Sequence, residues 1–249
     1  MGVKEKTEFS RLIYESRGVK MEGVFIRPEG KGTFPGVVVV HGHGGFGLWG
    51  WALRMGFHLH RIGFAVFLPS QTGHGFSEGD PDLAGPRTID GIVDGVKIFL
   101  QEEYVDKNKL GIWGVSSGAT VSSLLLVKHP DLFKTGVLEA GVYDLKKDFE
   151  RPDILPEIKE QIIKECGATK EALIERSSLS IMENLSAPVL VLHGNQDDRA
   201  SVEQAILLDK RLNELGKEHK TVILKSSGHH ITKETISKYT FPFLKIYLK

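Results

Sequence analysis

Only one of the 249 residues, Cys166, is a cysteine. A single thiol excludes an intrachain disulfide and a cysteine-rich zinc cluster, and it fits a reducing compartment. Net charge is missing as well: 32 basic and 32 acidic side chains cancel, so no overall field draws the chain to nucleic acid or to an anionic membrane. No apolar run approaches the length that spans a bilayer. The first residues, Met1-Gly2-Val3-Lys4-Glu5-Lys6, lack the apolar stretch of a secretion signal, and Lys6 stands where a myristoylation signal needs Ser or Thr. These absences lead to the expectation of a cytoplasmic chain that acts on a small molecule or short peptide, with neither nucleic acid nor membrane as partner. Internal repeats and low-complexity tracts are also absent, so organisation must be read from alternating apolar patterns.

Eight segments carry strand patterns: 8–14, 19–27, 37–40, 64–68, 109–115, 136–140, 188–192 and 221–224. The first two read as an antiparallel pair. Val37-Val38-Val39-Val40 has no alternation, the mark of a strand buried on both faces. Helical spacing fills the gaps, as in Met55, Leu59 and Ile62, in Ile89, Ile92, Val96 and Phe99, and in Val202, Ala205, Leu208 and Leu212. Ser201 with Gln204 has the capping-box spacing at the start of that last helix. Strands separated by helices require right-handed crossovers and a mostly parallel sheet. The expectation is one α/β domain over residues 1–249, with an eight-stranded sheet and helices on both faces. Between 144 and 186 the strand signal vanishes and charged helical segments take over, which predicts a small helical cap inserted into the domain.

The chemistry concentrates at predicted strand ends. Gly114-Val115-Ser116-Ser117-Gly118 lies between a buried strand and a helix. A serine hydroxyl attacks only when it is exposed beside a base, and a turn this sharp tolerates only small flanking residues. Ser116, centred between the glycines, is the candidate nucleophile, with Ser117 as the minor alternative. After a later strand comes Asn195-Gln196-Asp197-Asp198-Arg199, and after the last strand Ser226-Ser227-Gly228-His229-His230. The order Ser, Asp, His places all three groups at the carboxyl edge of a parallel sheet. Asp197 is preferred over Asp198 and His229 over His230 because each stands earlier in its turn. The histidine takes and returns the serine proton while the carboxylate fixes its tautomer.

An oxyanion also needs main-chain donors. Ser117 at the helix start supplies one, and His41-Gly42-His43-Gly44-Gly45 after residues 37–40 supplies the other, His43 before Gly44. The His41 imidazole is read as a brace for this loop. Phe46, Trp49, Trp51 and Tyr143 are candidate walls of an apolar pocket, with ordinary core packing an equal alternative. Ten histidines invite a metal reading through His41, His43, His74, His193 and His229, but none of these pairs has helical i, i+4 spacing, so neither metal nor organic cofactor is expected.

With these residues in place, the chain resembles the catalytic domain of the prolyl oligopeptidase and acylaminoacyl peptidase family, and its relatives among small esterases and dienelactone hydrolases. The likeness rests on His41-Gly42, on Gly73-His74-Gly75-Phe76-Ser77, on the serine turn, on Ala187-Pro188 opening a strand that ends in His193-Gly194, and on Asp197-Asp198-Arg199. It implies the α/β-hydrolase fold and selects Asp197 and His229 as triad members. In some oligopeptidases the residue matching Arg199 binds a substrate carbonyl. Departures include Ser70 and Thr72 before the Gly-His-Gly turn, and serine where dienelactone hydrolases proper use cysteine. Because 249 residues leave no room for a propeller, the expectation is a serine esterase acting on carboxylic esters. The alternatives are an aminopeptidase or acyl-peptide hydrolase and, from another class, a silent hydrolase fold that only binds.

Overall fold

The computed structural model describes residues 8–48 and 50–249. Its strands are β1 (Glu8–Ser16), β2 (Val19–Arg27), β3 (Phe34–Val40), β4 (Ala65–Pro69), β5 (Val105–Val115), β6 (Thr135–Glu139), β7 (Val189–Gly194) and β8 (His219–Leu224). They form one sheet in the order β1-β2-β4-β3-β5-β6-β7-β8. The β1–β2 and β2–β4 pairs are antiparallel and every later pair is parallel.

The helices are α1 (Gly50–Arg61), α2 (Pro86–Phe99), α3 (Ser117–Lys128), α4 (Leu145–Glu150), α5 (Pro156–Cys166), α6 (Lys170–Glu175), α7 (Glu203–Glu214) and α8 (Lys233–Leu248). Period-two alternation along the strands divides the core. Val38, Val40, Phe67, Ile112 and Leu138 pack with α2, α3 and α7 on one face. Val37, Val39, Leu68, Trp113 and Val137 pack with α1 and α8 on the other. The long apolar stretches of β3 and β4 follow from this burial on both sides. Among the described residues no helix is long and apolar enough to cross a membrane.

The order in which strands are added reverses at the centre of the sheet. β3 leads through α1 to β4 on one side, while β5 lies on its other side, so the carboxyl ends of β3 and β5 flank a topological switch point where α/β sheets form crevices. Helices α4, α5 and α6 and a 3₁₀ segment, Ser178–Asn184, stand between β6 and β7, with a small cluster of their own around Leu145, Ile162 and Leu173.

Two element boundaries differ from expectation for identifiable reasons. β5 begins at Val105 rather than 109, because Val105 and Asp106 already pair with Phe34 and Pro35, while Lys107-Asn108-Lys109 fall in a register shift before Leu110 pairs with Gly36. Ser201 and Gln204 do not close a capping box. The Gln204 side chain instead accepts from the main-chain amides of Tyr143 and Asp144, at 3.0 and 2.9 Å, and α7 starts at Glu203.

Candidate active site

The turn from β5 into α3 forces Ser116 to φ 55° and ψ −126°. A non-glycine residue in this region stores strain that close packing must hold. Here the packing is tight enough to require glycine on both sides. A Cβ at Gly114 would stand 2.1 Å from the Gly118 carbonyl oxygen, and one at Gly118 would stand 2.3 Å from that of Val40. The Ser116 amide donates to the Glu139 carbonyl at 2.8 Å, tying the turn to the end of β6.

Three side chains from separate turns meet above this edge. The His229 Nε2 lies 2.9 Å from the Ser116 Oγ, and its Nδ1 lies 2.9 and 2.8 Å from the two Asp197 oxygens. With a carboxylate against Nδ1, that nitrogen carries the proton and Nε2 is left as the acceptor for the serine hydroxyl. Asp197 in turn accepts from the amides of Arg199 and Ala200, both at 3.0 Å. Burial works against its ionisation, yet hydrogen bonds from His193 and His229 hold its carboxyl well below the usual carboxylate range.

His193 is the partner that the sequence reading missed. It is fully buried at the end of β7, and its Nε2 lies 2.9 Å from the Ala200 carbonyl and 3.2 Å from the Asp197 Oδ2. Both neighbours are acceptors, so Nε2 carries the proton and is shared between them. The available signal was the position itself, a histidine four residues before the carboxylate on the strand that presents it. The neighbouring candidates stand apart. Asp198 is exposed, with its carbonyl accepting from Arg151, and the His230 ring lies edge-on to His229, with centroids 5.6 Å apart.

The loop after β3 closes the site. A Cβ at Gly42 would meet the Ser116 Cβ at 3.2 Å and the Val115 carbonyl oxygen at 3.3 Å, so any larger residue would have to push the loop a few tenths of an ångström from the elbow. His41 points inward as a brace: its Nδ1 donates to the Gly42 carbonyl at 2.7 Å and its Nε2 accepts from the Gln71 amide at 3.0 Å. Burial pushes its pKa down to about 3, as a neutral ring in this bonding pattern requires. His43 stands at the loop tip. Among the described residues no protein group accepts from the main-chain amide of His43 or of Ser117.

Two cavities open beside Ser116. One is walled by Leu83, Val142, Leu145, Ile158 and Ile162 and runs under the 145–166 helices. The other lies between the glycine loop, α1 and His230, and Trp51 lines it while packing edge-on against Trp113. Phe46 lines neither and sits under the Gly73–Gly75 turn. Tyr143 is a correction. The Gln204 clamp fixes its backbone and its side chain is fully buried in the core. Trp49 lies outside the described residues.

Of the histidines considered for metal binding, His229 meets Ser116 and Asp197, His193 meets Asp197, and the His74 ring packs against those of His41 and His43 with centroids 5.3 and 5.5 Å apart; among the described residues no three His, Cys, Asp or Glu side chains gather as ligands.

A family model described as the prolyl oligopeptidase family matches residues 58–249. The chain is 26% identical over 225 residues to an uncharacterized peptidase of Bacillus subtilis, YtmA, covering 88% of this chain and 85% of that one. It is also 26% identical over 230 residues to a second uncharacterized peptidase of that organism, YuxL, covering 87% of this chain but 34% of the relative. Among solved structures, uncomplexed acylaminoacyl peptidase from Pyrococcus horikoshii superposes with a TM-score of 0.83 at 24% identity, over 99% of this chain and 43% of that one. The chain thus spans most of one relative and less than half of the other two, and it shares the α/β-hydrolase fold of the solved structure. Sheet topology, serine elbow and family match agree that the chain is a serine hydrolase belonging to the prolyl oligopeptidase family.

Proposed function

We propose that the protein hydrolyses the amide bond of short acyl-peptides or aminoacyl substrates through an acyl-Ser116 intermediate. The observation that carries the reading is the unbroken chain of contacts from the Ser116 Oγ through the His229 imidazole to Asp197. Family membership and the peptidase relatives back amide substrates better than the carboxylic esters favoured from sequence alone. In the first step the Ser116 Oγ attacks the acyl carbon while the His229 Nε2 takes its proton. Asp197 stabilises the imidazolium that forms. The amides of His43 and Ser117 serve as donors to the developing oxyanion, where α3 also directs the positive end of its dipole. His229 then protonates the departing amine, and water repeats the sequence to release the acid.

The cavity under the 145–166 helices suits an apolar side chain on the acyl side of the scissile bond, because Leu83, Val142, Leu145, Ile158 and Ile162 make up its apolar lining, with Asp148, Gln161 and Arg199 also lining it. In this reading residues 144–186 act as a cap built into a single domain. Cys166, unpaired on α5, fits a cytoplasmic setting. The test compares kcat/KM on N-acetyl-leucine p-nitroanilide, leucine p-nitroanilide and p-nitrophenyl butyrate. The reading expects turnover of at least one anilide that disappears in Ser116→Ala. Ester turnover with both anilides inert would return the protein to the esterase reading.

A further inference from the structure

Helix α5 touches the glycine loop through two side chains. The Gln161 Nε2 lies 2.5 Å from the His43 Nδ1, and the Glu165 Oε1 lies 3.4 Å from the same nitrogen. An amide nitrogen only donates, so the His43 Nδ1 accepts from Gln161 in the neutral ring. Burial, with His74, Arg199 and Lys164 nearby, lowers the pKa of His43 and favours that form. When the ring does gain a proton, Glu165 stands ready as its ion-pair partner. Between them the two α5 residues offer the His43 Nδ1 a partner in either protonation state, Gln161 as donor to the neutral ring and Glu165 as acceptor from the charged one.

Glu165 reaches further. Its carboxylate also interacts with Gln161 and with the main-chain amide of Leu83, a residue at φ 40° that walls the apolar cavity. One helix thus ties together the loop after β3 and the loop before α2, while its own Ile158, Gln161 and Ile162 line that cavity. Apart from α5, the contacts near the loop tip are the His41 brace, a 2.6 Å bond from the Gln71 side chain to the His41 carbonyl, a 3.1 Å bond from the Gly45 amide to the Gly42 carbonyl, and the His74 ring edge-on to His43 at 5.5 Å. Gly44, at φ 72°, adds none.

We infer that Gln161 and Glu165 are positioning residues for the oxyanion loop, holding the His43 amide in place from a helix that also walls the acyl-side cavity. The inference rests on the assignment of His43 as an oxyanion donor. A side chain seated against Ile158 and Ile162 presses on the helix that sets this amide, so binding in the cavity is expressed in kcat rather than in affinity alone. Loss of one oxyanion donor costs about a hundredfold or more in kcat. Displacement of the donor sets a smaller expectation of about tenfold.

The experiment measures kcat and KM of Gln161→Ala/Glu165→Ala on p-nitrophenyl butyrate and on the better anilide, with each preparation normalised by fluorophosphonate active-site titration. Glu160→Ala, exposed on the same helix, is the control. The expected result is a kcat about tenfold lower or more on either substrate, KM within about twofold of wild type, and a wild-type control. Wild-type kcat in the titrated double variant would overturn the inference. So would a loss confined to KM. Because the ester arm suffices, failure of the anilides bears on the peptidase reading alone, whereas undiminished turnover by Ser116→Ala would remove both.

Discussion

Replacing His193 by Leu keeps roughly the side-chain volume and removes the donor shared by Asp197 and the Ala200 carbonyl, 3.2 and 2.9 Å away. A hydrogen bond to a buried charged group contributes about 1.5–3 kcal/mol, and an orphaned carbonyl costs about 1–3 kcal/mol. The variant should therefore lose roughly 2.5–6 kcal/mol of unfolding free energy at pH 7. Part of that loss depends on pH in a defined direction. A carboxyl held below its unfolded value of about 3.9 contributes stability that is present above that value and is lost as pH falls through the folded value. His193 is one of the groups that depress Asp197. The penalty should hold steady from pH 7 down to about 4 and shrink only below that, as pH falls from the unfolded toward the folded value of Asp197. Catalysis should suffer less. Asp197 still faces His229 and two amides, so kcat should fall about tenfold, a barrier change near 1.4 kcal/mol, against about 10⁴ for Asp197→Asn, which disturbs the tautomer. Urea unfolding at several pH values, beside steady-state kinetics, reads both effects. A penalty that grows as pH falls below about 4, or a kcat as low as that of Asp197→Asn, would refute this account of His193.

Other expectations follow from the packing around the elbow. Gly118→Ala places a Cβ 2.3 and 2.5 Å from the Val40 and His41 carbonyl oxygens, both main chain, so it should cost more than about 3 kcal/mol or prevent folding, as read by circular dichroism and urea titration. Glu139, buried with the Trp113 Nε1 at 3.2 Å, has its pKa pushed up to about 8 by burial. A raised carboxyl penalises folding increasingly as pH climbs from its unfolded value toward the folded one. Glu139→Gln should therefore gain on wild type from pH 5 to pH 8, by at most about 1.4 kcal/mol per pH unit, and a gap that stays constant in thermal melts across that range would refute the assignment. Ile162→Trp, which fills the apolar cavity, should raise KM for bulky acyl-side groups while sparing acetyl esters, and equal effects on both would remove that cavity from substrate binding.

The sheet was legible because its strands are apolar on both faces. Val37 to Val40 can satisfy that pattern only in the middle of a parallel sheet, and the helical stripes between strands leave little choice of connection. The elbow was legible for a related reason: glycines at 114 and 118 flank a serine where a strand turns into a helix, and carbonyl oxygens occupy the space a side chain would need. What the sequence hid depends on contacts between distant segments. His193 resembled any histidine at a strand end until the turn at Asp197 folded back toward it. Gln204 matched a local capping pattern, but two main-chain amides of a loop 60 residues away compete for its carbonyl. Tyr143 was placed in the pocket by adjacency in the chain, whereas that clamp turns it into the core. Gln161 and Glu165 gave no signal at all, since polar residues on a charged helix look like a solvated face.

The most direct test of the central claim is intact-protein and peptide mass spectrometry after treatment with a fluorophosphonate. The account predicts one adduct, on Ser116, abolished by Ser116→Ala and strongly slowed by His229→Ala. An adduct on Ser117, or an unmodified wild-type protein, would contradict it.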